Sequence, residues 1–160
     1  MEHQLHFKLT LELKREKHDG PAYFKVDGNR FKNPRTIKLH SDSAYAFCIT
    51  SRPPQILESL SIHGTSLDVE EKSRDHSECV YSAVWSTAGI LPTRKGEREQ
   101  VPIIIKISEK GTLKACFQAK MYKAEDEQHC AWGSSLHSIE WECNANEHRN
   151  HVDVAKETFH

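Results

Sequence analysis

Leu5-His6-Phe7-Lys8-Leu9-Thr10-Leu11-Glu12-Leu13-Lys14 is the stretch that decides the fold class. Leu5, Phe7, Leu9, Leu11 and Leu13 alternate with Lys8, Thr10, Glu12 and Lys14. Successive side chains of a β-strand point to opposite faces, so this spacing predicts a half-buried strand. Val101, Ile103, Ile105 and Ile107 repeat the pattern. Leu113, Ala115, Phe117, Ala119 and Met121 repeat it again, against Lys114, Gln118 and Lys120. Shorter β-like runs occupy 23–26, 36–39, 45–49, 55–62, 80–85 and 138–143. No window of useful length carries apolar residues at the i, i+3, i+4, i+7 spacing of a helix.

Turn formers separate the runs: Asp19-Gly20-Pro21, Asp27-Gly28, Arg52-Pro53-Pro54, His63-Gly64 and Lys110-Gly111. Each supplies a residue that permits or forces a reversal, and Asp27-Gly28 lies between two runs as a hairpin turn or a longer loop. Many short strands at regular spacing predict an all-β chain, an antiparallel β-barrel or flattened sandwich, with residues 1–160 as one domain. Two connections are longer, 86–100 and 123–135. Long loops on a sheet scaffold are where binding residues concentrate.

The 160 residues are 37% hydrophobic and 28% charged, with a formal net charge of -1. A near-neutral chain lacks the broad positive field that holds phosphate backbones, which argues against nucleic acid as a partner. Lys8, Glu12 and Lys14 interrupt the first apolar positions, Glu2 follows Met1, and no apolar run is long enough to span a bilayer. Signal peptide, myristoylation and transmembrane segment are therefore not expected. Cys48, Cys79, Cys116, Cys130 and Cys143 form an odd set without Cys-x-x-Cys spacing, the pattern of free thiols in a reducing cytoplasm.

Eleven histidines raise the question of a metal. His148 and His151 lie near Glu147 and Asp153, and His129 adjoins Cys130, but the spacing fits no zinc ribbon, finger or His-Glu-x-x-His helix. Neither metal nor cofactor is expected. A Cys130–His129 nucleophile and base would have to converge from neighbouring positions, which a β-like segment turns to opposite faces. No phosphate loop or nucleophile elbow accompanies them, so no enzyme activity is expected.

The aromatic residues are more informative. Tyr81, Trp85, Phe117, Tyr122 and Trp132, with Cys130, lie on strands or beside loops of the second half. They either fill a core or line a space between sheets, which pack about 10 Å apart and would take an acyl chain if slightly separated. Arg30 and Arg35, with Lys38, and Arg94, Lys95 and Arg98 form a candidate basic patch for an acidic or phosphorylated peptide.

Several blocks of this chain resemble the cannabinoid receptor-interacting protein family. They are Asp19-Gly20-Pro21, Lys25-Val26-Asp27-Gly28-Asn29-Arg30-Phe31 and Arg35-Thr36-Ile37-Lys38-Leu39. Pro92-Thr93, Gly96-Glu97-Arg98, His129-Cys130-Ala131-Trp132-Gly133-Ser134, Glu142-Cys143, Asn146-Glu147 and Lys156-Glu157-Thr158-Phe159 follow in order. The resemblance implies a β-barrel or sandwich similar to Rho GDP-dissociation inhibitors, which hold lipidated tails between their sheets. It implies a cytoplasmic adaptor, recruited to the inner face of the plasma membrane only through partners. Its expected partner is the C-terminal tail of a G-protein-coupled receptor, the type 1 cannabinoid receptor by resemblance, whose signalling it would modulate. The lipidated N-terminus of an inhibitory G-protein α subunit is a second expected partner. The alternative expectation is a carrier for acylated or prenylated protein tails.

Overall fold

The computed structural model describes residues 6–18, 20–146 and 148–160; Leu5, Asp19 and Glu147, on which parts of the readings above fall, lie outside the described residues. β1 (His6–Arg15) buries Phe7, Leu9 and Leu11 and leaves Lys8, Glu12 and Lys14 exposed, as its period of two requires. It pairs antiparallel with β4 (Ala44–Arg52) on one side and β12 (Ile139–Asn146) on the other. Beyond β4 lie β8 (Cys79–Ser86) and β7 (Glu70–Arg74). Beyond β12 lies β13 (His151–Phe159), which reaches the long strand β10 (Gly111–Tyr122).

β10 is the branch point of the sheet. One edge carries β9 (Glu99–Ile107), which in turn pairs with β5 (Leu57–Ile62), and β5 with β6 (Thr65–Leu67). The other edge forks: Thr112 and Leu113 pair with β13, while Ala119 to Tyr122 pair with β3 (Arg35–His40). β3 then pairs with β2 (Ala22–Val26), and β2 with β11 (Ser134–Leu136). The described strands thus make one sheet curled into a half-barrel. Leu9, Ile49, Trp85, Ile103, Leu113 and Trp141 meet on its inner side in one core cluster. Burial of that apolar face is the main favourable term in folding.

The all-β architecture agrees with the sequence reading; two details differ. The ladders β10–β13 and β10–β3 are parallel. Their strands are far apart in sequence and joined by crossovers, so the antiparallel rule for tight hairpins does not bind them. Asp27-Gly28 opens a connection spanning residues 27–34 between β2 and β3, closed by a 2.6 Å bond from Asp27 N–H to the Pro34 carbonyl. The two longer connections run over 87–98 and 123–133, and the second contains a 3-10 turn, His129–Ala131.

Candidate functional site

β3 is buried on both faces because its two parities serve different layers. Ile37 and Leu39 enter the core, while Thr36 and Lys38 are buried beneath the two loops. At Thr36 the cover is polar. The Gln118 amide donates to Thr36 Oγ1 at 2.9 Å and to the Asn33 carbonyl at 2.8 Å, and accepts from Asn33 N–H at 3.0 Å. Arg98 completes the plug: its Nε and Nη2 each reach Asp27 Oδ2 at 3.1 Å, and its guanidinium stands 4.2 Å over the Phe31 ring. Burial pulls the Asp27 carboxyl upward, but the Thr36 hydroxyl and the Arg98 charge outweigh it and hold the group below the usual carboxylate range.

One register step along, the same face becomes cationic. Lys38 lies directly opposite Lys120 of β10 and Tyr23 of β2. The Lys38 and Lys120 ammonium groups stand 5.6 and 5.3 Å from the centre of one ring, Tyr122. Lys38 donates to the His129 carbonyl at 3.0 Å. Burial and then the Lys25 charge lower the pKa of Lys38; the same two causes, in that order, lower that of Lys120. Gly133 brings the 123–133 loop down onto this face. It has φ +121°, and a Cβ there would stand 2.6 Å from the Phe24 carbonyl oxygen.

Between the end of this face and the start of β4 lies a cavity of about 300 Å³, whose lining includes Arg15, Pro21, Tyr23, His40, Tyr45 and Cys130. His40 Nε2 donates to the Asp126 carbonyl at 2.7 Å, which leaves Nδ1 to accept from the Cys130 thiol at 3.6 Å. Burial, and then the Asp126 charge, push the Cys130 thiol up to about 12; burial holds the His40 imidazole below its ordinary value. The pair is neutral at physiological pH, and the thiol is not an activated nucleophile. Asp126 itself organises the loop, its carboxylate accepting from the N–H groups of Gln128 at 3.0 Å and His129 at 2.8 Å.

The aromatic residues singled out in the sequence divide between two places. Trp85 is 2% exposed and packs against Tyr45 and Phe47, with ring centroids 6.2 and 6.1 Å away. Phe117 packs on Trp141 at 5.8 Å. Tyr81 is buried with its hydroxyl donating to the Gln55 carbonyl at 2.7 Å and accepting from Arg74 at 2.7 Å. Those three belong to the core cluster. Tyr122, Cys130 and Trp132 belong to the loop-covered face, where Trp132 is 60% exposed and meets the His129 ring edge-on.

The basic patch divides as well. Arg98 is enclosed in the Asp27 plug, and Arg30 stacks on the same Phe31 ring at 5.2 Å. Arg35 has the core-side parity of β3 and lies over Phe159 at 5.4 Å. Arg94 and Lys95 are exposed in a turn. Lys25 and Lys120 were not singled out from the sequence. Their parity was visible, but the register that brings them beside Lys38 was not. His151 pairs with Asp153 at 2.8 Å, and among the described residues no group of three or more His, Cys, Asp or Glu converges.

Comparison with known proteins matches residues 3–159 to the family model described as CB1 cannabinoid receptor-interacting protein 1. The mouse and human proteins of that name are each 37% identical to this chain over 155 residues. The alignment covers 95% of this chain and 94% of each relative.

Proposed function

The chain belongs to the CB1 cannabinoid receptor-interacting protein 1 family, and from that membership we propose that it is a non-catalytic adaptor for the C-terminal tail of a G-protein-coupled receptor, modulating that receptor's signalling. The observation that carries the reading is a likeness running through 95% of the chain to relatives named for binding the CB1 receptor. The neutral Cys130–His40 pair supports the non-catalytic part, since a thiol held near 12 supplies almost no thiolate at neutral pH. The adaptor works in the cytoplasm and reaches the inner face of the plasma membrane through its partners.

An immobilised receptor C-terminal tail tests the proposal. Saturable binding of the full chain, lost when the tail sequence is scrambled, is expected; equal capture by the scrambled tail would overturn it.

The cavity beside Cys130 favours a second reading, a carrier for acylated or prenylated tails such as the lipidated N-terminus of an inhibitory G-protein α subunit. Its size is at the lower end of the range that small ligands occupy. Titrating one peptide with and without its acyl group separates the readings. Binding that depends on the acyl group favours the carrier, and indifference to it favours the tail adaptor.

A further inference from the structure

We propose that Lys25, Lys38 and Lys120, with Tyr122 as the floor, form a docking slot for the carboxylates of an acidic peptide segment. Lys38 and Lys120 occupy directly paired positions on neighbouring strands. Like charges so placed repel, which destabilises a sheet unless something compensates. Among the described residues, neither lysine makes an ion pair, the Asp126 carboxylate acting on Lys38 and the Asp27 carboxylate on Lys120 only from a distance, and Lys25 has only a 3.6 Å pairing to Asp27. Asp27 is already occupied by Arg98 and Thr36. An ammonium group carries three donors. Lys38 is 8% exposed, yet among the described residues the one hydrogen bond its ammonium makes is to the His129 carbonyl. The shared Tyr122 ring eases the two cations through its negative face but does not neutralise them.

Recess and charge together select the occupant. The Asp27–Arg98 plug covers Thr36, the neighbouring same-face position of β3, and the His129 carbonyl caps the Lys38 ammonium, so a flat anionic surface does not reach Lys38. An extended chain does, and with acidic side chains on alternate residues it presents carboxylates to the slot at strand-like spacing. The choice of a peptide occupant rests on the tail-binding reading, whereas the charge argument does not.

The test uses the full chain and a fluorescein-labelled peptide with glutamate at alternate positions, alongside its glutamine counterpart. Binding of the glutamate peptide, weakening with salt, is expected. The double variant K25Q/K120Q should lose about tenfold or more in affinity. Its melting temperature should not fall, because a repulsion has been relieved. The control K106Q/K114Q removes the same charge from strand positions outside the slot and should bind as the unaltered chain does. Equal weakening by both pairs, or tighter binding to phosphatidylserine vesicles than to the peptide, would overturn the slot. Loss of glutamate-peptide binding in K25Q/K120Q with no receptor-tail binding by any form leaves the slot standing and removes the receptor reading. Tail binding without glutamate-peptide binding does the reverse.

Discussion

Asp27, Thr36 and the Phe31 ring enclose the Arg98 side chain, which is 4% exposed, and this leaves its guanidinium little capacity for a partner. Its residue type was legible in the sequence as cationic, but its pairing with a carboxylate 71 positions away was not. Removing one member strands the other, so Arg98→Leu should cost about 3 to 5 kcal/mol of unfolding free energy at neutral pH by urea titration. Because the Asp27 carboxyl is depressed in the folded state, the stability it contributes is complete above the ordinary aspartate value of roughly 4 and is lost as pH falls through the folded value. Urea midpoints measured from pH 6 to pH 3 should therefore fall less steeply in Arg98→Leu than in the unaltered chain; parallel profiles would rule out this linkage. The cysteines divide in the same residue-by-residue way. Cys116 is exposed and Cys130 is buried with a raised pKa. Iodoacetamide at pH 7.5, followed by peptide mapping, should label Cys116 well before Cys130.

Strands β1 and β9 were readable because each buries one parity, and β10 because its apolar residues keep one parity although Gln118 is buried on the other; hydrophobic alternation records that directly. β7 was not readable, since all five of its residues are exposed and its place is set by backbone pairing to β8. β13 fully buries only Val152, so its polar run hid a strand. The fork of β10 was equally invisible: register between distant strands is fixed by the assembled core, not by either strand alone. This fork is also what sets β3, and with it Lys38, beside Lys120. The 123–133 loop reaches that face through Gly133. Gly133→Ala adds a Cβ at 2.6 Å from the Phe24 carbonyl oxygen in a backbone region closed to L side chains, so strain of about 1 to 3 kcal/mol is expected there. Amide exchange should quicken in β11 and β2 while β1 and β4 remain protected; uniform quickening would contradict this local role.

The described residues form a curled sheet whose inner side is packed by large side chains and whose candidate site lies at loop-covered β3 and the cavity next to it. Trp85 and Phe117 belong to the packing, so Trp85→Ala should cost about 3 to 5 kcal/mol in stability, read as a lower urea midpoint. Aromatic type alone did not distinguish these core rings from Tyr122 and Trp132, because that distinction depends on which side of the curled sheet each parity faces. The measurement that bears most directly on the tail adaptor and its slot is a receptor-tail titration of the isotopically labelled chain, followed by amide chemical shifts. The account predicts shifts centred on Lys25, Lys38, Lys120 and Tyr122 and on residues 123–133. Shifts centred on β5, β6 and β9, with that face unmoved, would contradict it.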